Sequence, residues 1–204
     1  RMSTLEAFAP SWYYHEVLKS TEVVGINETF SKYINDESNF SQPPAWNCNV
    51  QTSYGCDNGT PQWTFFMDTI KPYLEDFLEK VQCNAVEVLP QEAWVNKYNP
   101  GDSQEAHDHC TPNTNISMVY FHRLNADDNC DFMFYNREHS YYRLQGLSDI
   151  ISLPFEDTTT PPVKQGSIIF FPAHYLHLVS PHRGTQTRIT FSANFYVVPK
   201  GWRG

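Results

Sequence analysis

Lys97-Tyr98-Asn99-Pro100-Gly101-Asp102-Ser103-Gln104-Glu105-Ala106-His107-Asp108-His109 is the stretch whose reading decides this chain. Its two histidines are one residue apart, and in an extended strand residues i and i+2 project from the same face. One metal ion can therefore take both imidazoles, provided that a further ligand arrives from elsewhere. The segment Phe170-Phe171-Pro172-Ala173-His174-Tyr175-Leu176-His177 offers one. Its lead-in, Ile168-Ile169-Phe170-Phe171-Pro172, is apolar on both faces, the pattern of a central strand, and His177 lies just beyond it. His174 stands three residues earlier, on the other face or in a turn, and is the alternative ligand.

Further on, ten residues separate His177 from Arg188, and Thr190 comes two after Arg188. In a strand, Arg188, Thr190, Ser192 and Asn194 share one face, and Ile189, Phe191, Ala193 and Phe195 share the other. An arginine and a hydroxyl pointing the same way make a fork for a carboxylate. His122, His139 and His182 have no partner pattern and read as ordinary structural histidines.

Around these segments the chain divides in character. Residues 12–18 read as a first strand. A helical stretch begins at Thr21, with Val23, Val24, Ile26, Phe30, Tyr33 and Ile34 at helical spacing, and the Pro43-Pro44 pair ends or follows it. Residues 46–52 alternate like a strand. A second helix spans 61–81, burying Phe66, Ile70, Leu74, Phe77, Leu78 and Val81, with Pro72 threatening a kink. From residue 84 onward short strands are expected at 85–89, 93–98, 105–110, 116–124, 131–135, 148–153, 167–172, 177–180 and 187–198. Loops are expected at 124–130, 157–162 and 182–187. Short, regularly spaced strands with turn signals argue for a closed or sandwiched β body. The expectation is one α+β, mainly β domain over 1–204, with strand and buttressing helices in 1–83 and a β core in 84–204.

Composition narrows the function classes. The 204 residues suffice for one sizeable core, and an aromatic content of 15% suits half-buried strands. The net charge of −9 repels phosphate backbones, so no nucleic-acid partner is expected. Five cysteines, odd in number and without a C-x-x-C pair, favour a reduced cytoplasmic setting over a disulfide framework or a zinc knuckle. No apolar run approaches membrane-span length, and no membrane association is expected.

The combined pattern resembles the Fe(II)/2-oxoglutarate-dependent oxygenase superfamily, and within it the prolyl-hydroxylase-like branch. The shared features are Tyr98-Asn99-Pro100-Gly101 before the first histidine, the strand Ile116-Ser117-Met118-Val119-Tyr120-Phe121 after it, and Gly166-Ser167-Ile168-Ile169-Phe170-Phe171-Pro172 before the distal histidine. Arg188 and Thr190 complete the likeness, which spans about half of the chain, from Trp94 to Val198. The resemblance implies a double-stranded β-helix, a jelly-roll or cupin-like barrel. It also implies Fe(II), 2-oxoglutarate as cosubstrate and O2, with decarboxylation of 2-oxoglutarate coupled to hydroxylation of a small-molecule or protein substrate. Arg188 and Thr190 would hold the far carboxylate of the cosubstrate, with Tyr98 and Ser117 as further hydrogen-bonding groups.

One position departs from the family. Where a carboxylate normally follows the first histidine by two residues, this chain has His109, as in an uncharacterised H-x-H subgroup of the superfamily. Either His107, His109 and His177 form an all-imidazole triad, or Glu105 supplies the carboxylate from the same strand face. In the first case Glu105 or Asp108 would accept a hydrogen bond from an imidazole. Two rival readings use the same residues. Gly101 followed by His107-x-His109 matches the opening of a cupin signature, but no Glu follows between Cys110 and Asn115. A jelly-roll binding module without catalysis is the other, with Phe132-Met133-Phe134-Tyr135 and Ser140-Tyr141-Tyr142 as its aromatic surface.

Overall fold

The computed structural model describes residues 11–56, 59–83, 85–124, 132–146 and 157–202. In chain order these hold β1 (Tyr14–Val17), α1 (Ser20–Asn35), a 3-10 turn at Glu37–Asn39, β2 (Gln51–Thr52), α2 (Pro61–Lys80) and β3 (Val86–Tyr98). There follow β4 (Gln104–His107), β5 (Ile116–Arg123), β6 (Phe132–Tyr135), α3 (His139–Leu144), β7 (Thr158–Thr159), β8 (Ser167–Pro172), β9 (His177–Val179) and β10 (Arg188–Pro199). Among the described residues the strands make two sheets. One is six-stranded, in the order β1-β8-β5-β10-β3-β2, and the other four-stranded, in the order β4-β9-β6-β7. Every pairing is antiparallel.

The alternation of side chains along the large sheet explains both of its layers. Even-numbered Met118, Tyr120, Ile168 and Phe170 and odd-numbered Ile189, Phe191, Ala193 and Phe195 face α1 and α2, joining Ile26, Phe30, Trp63, Phe66, Ile70 and Phe77 in one core. Phe191 is central to it, with ring centroids 4.7 Å from Phe30 and 5.2 Å from Phe66. The opposite face sends Val119, Phe121, Ile169 and Phe171 into a second core, where they meet Phe132, Phe134 and Val179 of the small sheet. A strand buried on both faces must be apolar at every position, and all six residues of β8 are buried. The helices therefore cover one face of the large sheet and leave the other to the small sheet. The functional residues lie in that inter-sheet space.

Several elements depart from the sequence expectation. Residues 85–89 and 93–98 form one continuous strand, because β3 pairs along β10 through a register shift between Asn194 and Phe195. That irregularity absorbs Pro90, which cannot donate to a regular ladder. The strand expected at 46–52 shrinks to Gln51–Thr52. Pro72 does not break α2; it lies on the exposed face of a single helix that runs from Pro61 to Lys80. Val81, expected on the buried face, caps the helix and is 39% exposed. Residues 140–142, read as part of an aromatic surface, lie within the short helix α3, and Thr158–Thr159 pair as β7 inside an expected loop. The strand expected at 148–153, the loop expected at 125–130 and Cys130 lie outside the described residues. Cys48, Cys56, Cys83 and Cys110 are free thiols.

Candidate metal centre

A turn at Asn99–Asp102 carries the chain from β3 of the large sheet to β4 of the small one. Pro100 and Gly101 occupy its central positions, Gly101 has φ of 91°, and the Asp102 N–H donates to the Asn99 carbonyl at 2.9 Å. Pro followed by a residue of positive φ is the type II arrangement, which only glycine adopts without strain. The Gly101 N–H then donates to the His182 carbonyl at 2.8 Å, tying this turn to the loop before β10. The His182 ring Nε2 lies 2.6 Å from the Gln186 carbonyl, so this histidine shapes the loop and is not a ligand.

β4 reaches the small sheet by pairing with β9, where His107 stands directly opposite His177. A register shift between Gln104 and His107 breaks the regular alternation. Gln104 and His107, three residues apart, consequently line the same cavity. His109 lies beyond the end of β4, held by its backbone N–H on the Ala173 carbonyl at 2.9 Å. The outcome is a tight cluster: the ligand atoms of His107, His109 and His177 all lie within 4.8 Å of one another.

Each imidazole has its Nδ1 committed. Nδ1 of His107 sits 2.8 Å from the Glu105 carbonyl, and that of His177 sits 2.9 Å from the Tyr175 carbonyl. Nδ1 of His109 sits 2.8 Å from Asn194 Oδ1 and 3.0 Å from Ser117 Oγ. Carbonyl and carboxamide oxygens can only accept, so all three rings carry their proton on Nδ1 and turn an Nε2 lone pair inward. Burial pushes the pKa of all three below the ordinary histidine value. His109 falls to about 4, with His107 as a further cause, and His177 falls well below the usual range under burial and its two neighbours. Three neutral imidazoles at neutral pH form a ready donor set for iron, nickel, copper or zinc.

The carboxylates near the cluster are engaged elsewhere. Glu105 is not part of the cluster: its Oε1 accepts the Asn47 backbone N–H at 2.8 Å, and it is its backbone carbonyl that meets His107. Asp108 pairs with Arg137 at 2.9 Å and accepts the Cys110 N–H, so neither carboxylate receives an imidazole proton. His174 stacks edge-on to Tyr175, outside the cluster.

The remaining expected residues surround the histidines. Thr190 and Tyr98 line a water-sized cavity of about 20 Å3 beside them, together with Asn96, Gln104 and Ser192. Arg188 is fully buried on the same strand face as Thr190, its guanidinium carbon 5.0 Å from the centroid of the Tyr98 ring. The Tyr98 hydroxyl donates to Gln104 Oε1 at 2.7 Å, and Gln104 Nε2 lies 3.4 Å from His107 Nε2. Ser117, expected to reach a cosubstrate, is instead engaged behind the metal site, donating to Asn194 Oδ1 at 2.9 Å and meeting His109. Sequence reasoning missed Asn194 and Gln104 as members of the site. Asn194 was visible as the last polar residue on the Arg188 face, whereas Gln104 enters only through the register shift.

Fold and site together bring three histidines that could hold one metal ion between two antiparallel sheets, on the side of a buried arginine. The family described as "Putative 2OG-Fe(II) oxygenase" matches residues 92–194, just over half of the chain. Solved structures share the fold at low identity. A prolyl-4-hydroxylase from Pseudomonas putida matches at 12% identity with a TM-score of 0.62, covering 92% of this chain and 94% of that one. A prolyl hydroxylase from Trichoplax adhaerens, in complex with a hypoxia inducible factor peptide fragment, matches at 9% identity and 0.63, covering 90% and 83%. HygX from Streptomyces hygroscopicus, with nickel, 2-oxoglutarate and hygromycin B bound, matches at 12% identity and 0.58, covering 95% and 86%. No curated protein sequence matches the chain.

The chain belongs to the 2OG-Fe(II) oxygenase family, whose members use Fe(II), 2-oxoglutarate and O2. It is therefore a 2-oxoglutarate-dependent oxygenase, and the prolyl hydroxylases among the solved structures share its fold. Among the described residues no helix is long and apolar enough to cross a membrane.

Proposed function

We propose that His107, His109 and His177 hold the Fe(II) of this oxygenase as an all-imidazole facial triad within a double-stranded β-helix formed by residues 84–204 of a single domain. The observation that carries this reading is the common orientation of the three rings, each locked through Nδ1 with Nε2 turned inward. Bound iron with 2-oxoglutarate supplies the oxidising chemistry that the family couples to decarboxylation. The protein's own contribution is to bind, orient and exclude water. Arg188 and Thr190 take the far carboxylate of the cosubstrate, and Tyr98 holds the guanidinium in place through its ring face. Phe121, Phe132 and Val179 close the inner side against solvent, which strengthens every charge interaction in the cavity.

Two features set this centre apart within that scheme. With imidazole in place of the usual carboxylate the ligand set carries no charge, so Coulomb attraction for Fe(II) is weaker and the metal relies on ring orientation. The Gln104 carboxamide also spans the small cavity between Tyr98 and His107. A five-carbon diacid fits there only with that side chain turned aside. Visible absorption of the anaerobic Fe(II)-loaded protein tests the reading. Adding 2-oxoglutarate should produce a metal-to-ligand charge-transfer band; iron bound with no such band would refute cosubstrate chelation at this site.

A further inference from the structure

On the other side of the three-histidine cluster, His107 and His109 also line a second cavity of about 250 Å3, on the scale of one amino-acid side chain or a small metabolite. Trp94, Gln104, His107 and His109 line both spaces, so the two adjoin across these side chains. The outer cavity has an aromatic wall. The rings of Trp46 and Tyr54 stand 5.7 Å apart with a 39° tilt, and those of Tyr54 and Trp94 stand 5.1 Å apart at 82°. Trp94 in turn lies 5.6 Å from the His109 ring, so the wall leads directly to the histidines.

The charges in this wall have one sign. Glu92, Glu105 and Asp108 line the cavity, and among the described residues no lysine or arginine does. Asp108 is balanced by Arg137, and Glu105 is turned to the Asn47 backbone. Glu92 is the carboxylate left facing the rings. It is exposed, and it is held by the Tyr54 hydroxyl at 3.2 Å and Asn194 Nδ2 at 3.3 Å, neither of which carries a charge. Aromatic faces carry negative potential and attract cations, most strongly when a carboxylate stands beside them. An anionic substrate would meet repulsion on this wall, and a neutral one would lack the charge attraction of Glu92.

We propose that this vestibule seats a cationic group of the substrate, an ammonium or a guanidinium, against Trp46, Tyr54 and Trp94 with Glu92 as counter-ion. The carbon chain bearing that group then extends toward His107 and His109. The proposal rests on the oxygenase reading for its meaning as a substrate site, but the binding itself needs no iron. It assigns a chemistry that a free basic metabolite and a basic side chain of a peptide would share.

Calorimetric titration of the metal-free protein with small probes provides the test, supported by the fluorescence of the tryptophans that line the cavity. N-acetyl-lysine methylamide and N-acetyl-arginine methylamide should bind about tenfold or more tightly than the Nζ-acetylated lysine isostere and the glutamate analogue. Glu92→Gln should remove about a factor of ten for the cations alone, and Tyr54→Leu several-fold. Both residues are substantially exposed, so neither change threatens folding. The preference should shrink as added salt shortens the Debye length. Equal binding of all probes, preference for the neutral or anionic ones, or a cation preference that survives both substitutions would overturn the proposal. A longer lysine-containing peptide binding more tightly than free lysine identifies a peptide source, and the reverse order identifies a metabolite. A charge-transfer band without cation preference sinks the vestibule alone; cation preference without the band sinks the oxygenase centre alone.

Discussion

Replacing Asn194 is the sharpest test of how an uncharged ligand set holds iron. Asn194 Oδ1 accepts from His109 Nδ1 at 2.8 Å and from the Ser117 hydroxyl at 2.9 Å, while its amide nitrogen donates to Glu92 at 3.3 Å. It thereby fixes both the tautomer and the rotation of the His109 ring. Loss of such a partner behind a metal ligand typically costs about 10- to 100-fold in metal affinity. Here the lower end applies to Asn194→Ala, because Ser117 Oγ, 3.0 Å from the same nitrogen, can rotate to accept the proton instead. The expected loss is about tenfold, or about 1.4 kcal/mol. Ser117→Ala alone should cost less, since Asn194 still accepts. The double variant leaves the His109 N–H without an acceptor and should approach about 100-fold, more than the two single losses multiplied. Competition titration of Fe(II) or Ni(II) against a chelator measures all four proteins, with circular dichroism confirming the fold. Unchanged affinity in the double variant would refute the claim that ring orientation holds the metal. Strictly multiplicative losses would refute the shared role of Asn194 and Ser117.

Two further outcomes follow from buried polar groups. His122 is buried between Tyr120 and Phe191, and burial lowers its pKa from 6.5 to about 4. Below pH 6.5 the unfolded chain takes up a proton that the folded chain refuses until about pH 4, so stability present at neutral pH is lost across that window, up to about 3 kcal/mol. Urea unfolding of the metal-free protein should show His122→Leu losing about 2 kcal/mol less than the parent between neutral pH and about pH 5; parallel pH profiles would disprove it. Thr190→Val keeps the shape of a side chain that is 5% exposed but removes its hydroxyl. The dissociation constant of 2-oxoglutarate, followed by the charge-transfer band, should rise about three- to tenfold while iron affinity stays constant, and an unchanged constant would remove Thr190 from the cosubstrate site.

The sequence by itself carried the periodic information. Alternation along 187–198 was enough to separate the face of Arg188, Thr190, Ser192 and Asn194 from that of Ile189, Phe191, Ala193 and Phe195, and the structure buries both. The spacing of Phe66, Ile70, Leu74, Phe77 and Leu78 likewise placed the buried stripe of α2. These are local consequences of a repeat of two or of 3.6 residues, and they survive folding because each strand or helix keeps its own geometry. The pairing of His107 with a distant histidine was legible for the same reason, since the His107-x-His109 spacing and the apolar run before His177 are both local features.

Only the tertiary structure decided what lies between the elements. Regular alternation put Glu105 on the face of His107, but the register shift in β4 moved Gln104 into the cavity, and Glu105 is held by the Asn47 backbone. A bulge depends on which partner strand a segment meets, and no local pattern encodes that partner. The same holds for Asn194, which becomes the support of His109 because β10 pairs with β5 opposite Ser117. The vestibule wall is likewise assembled from Trp46 and Tyr54, in a neighbouring loop and turn, and Trp94, on a strand distant in sequence. Strand register and long-range closure choose those neighbours, so the candidate ligands were local information and their supports were not.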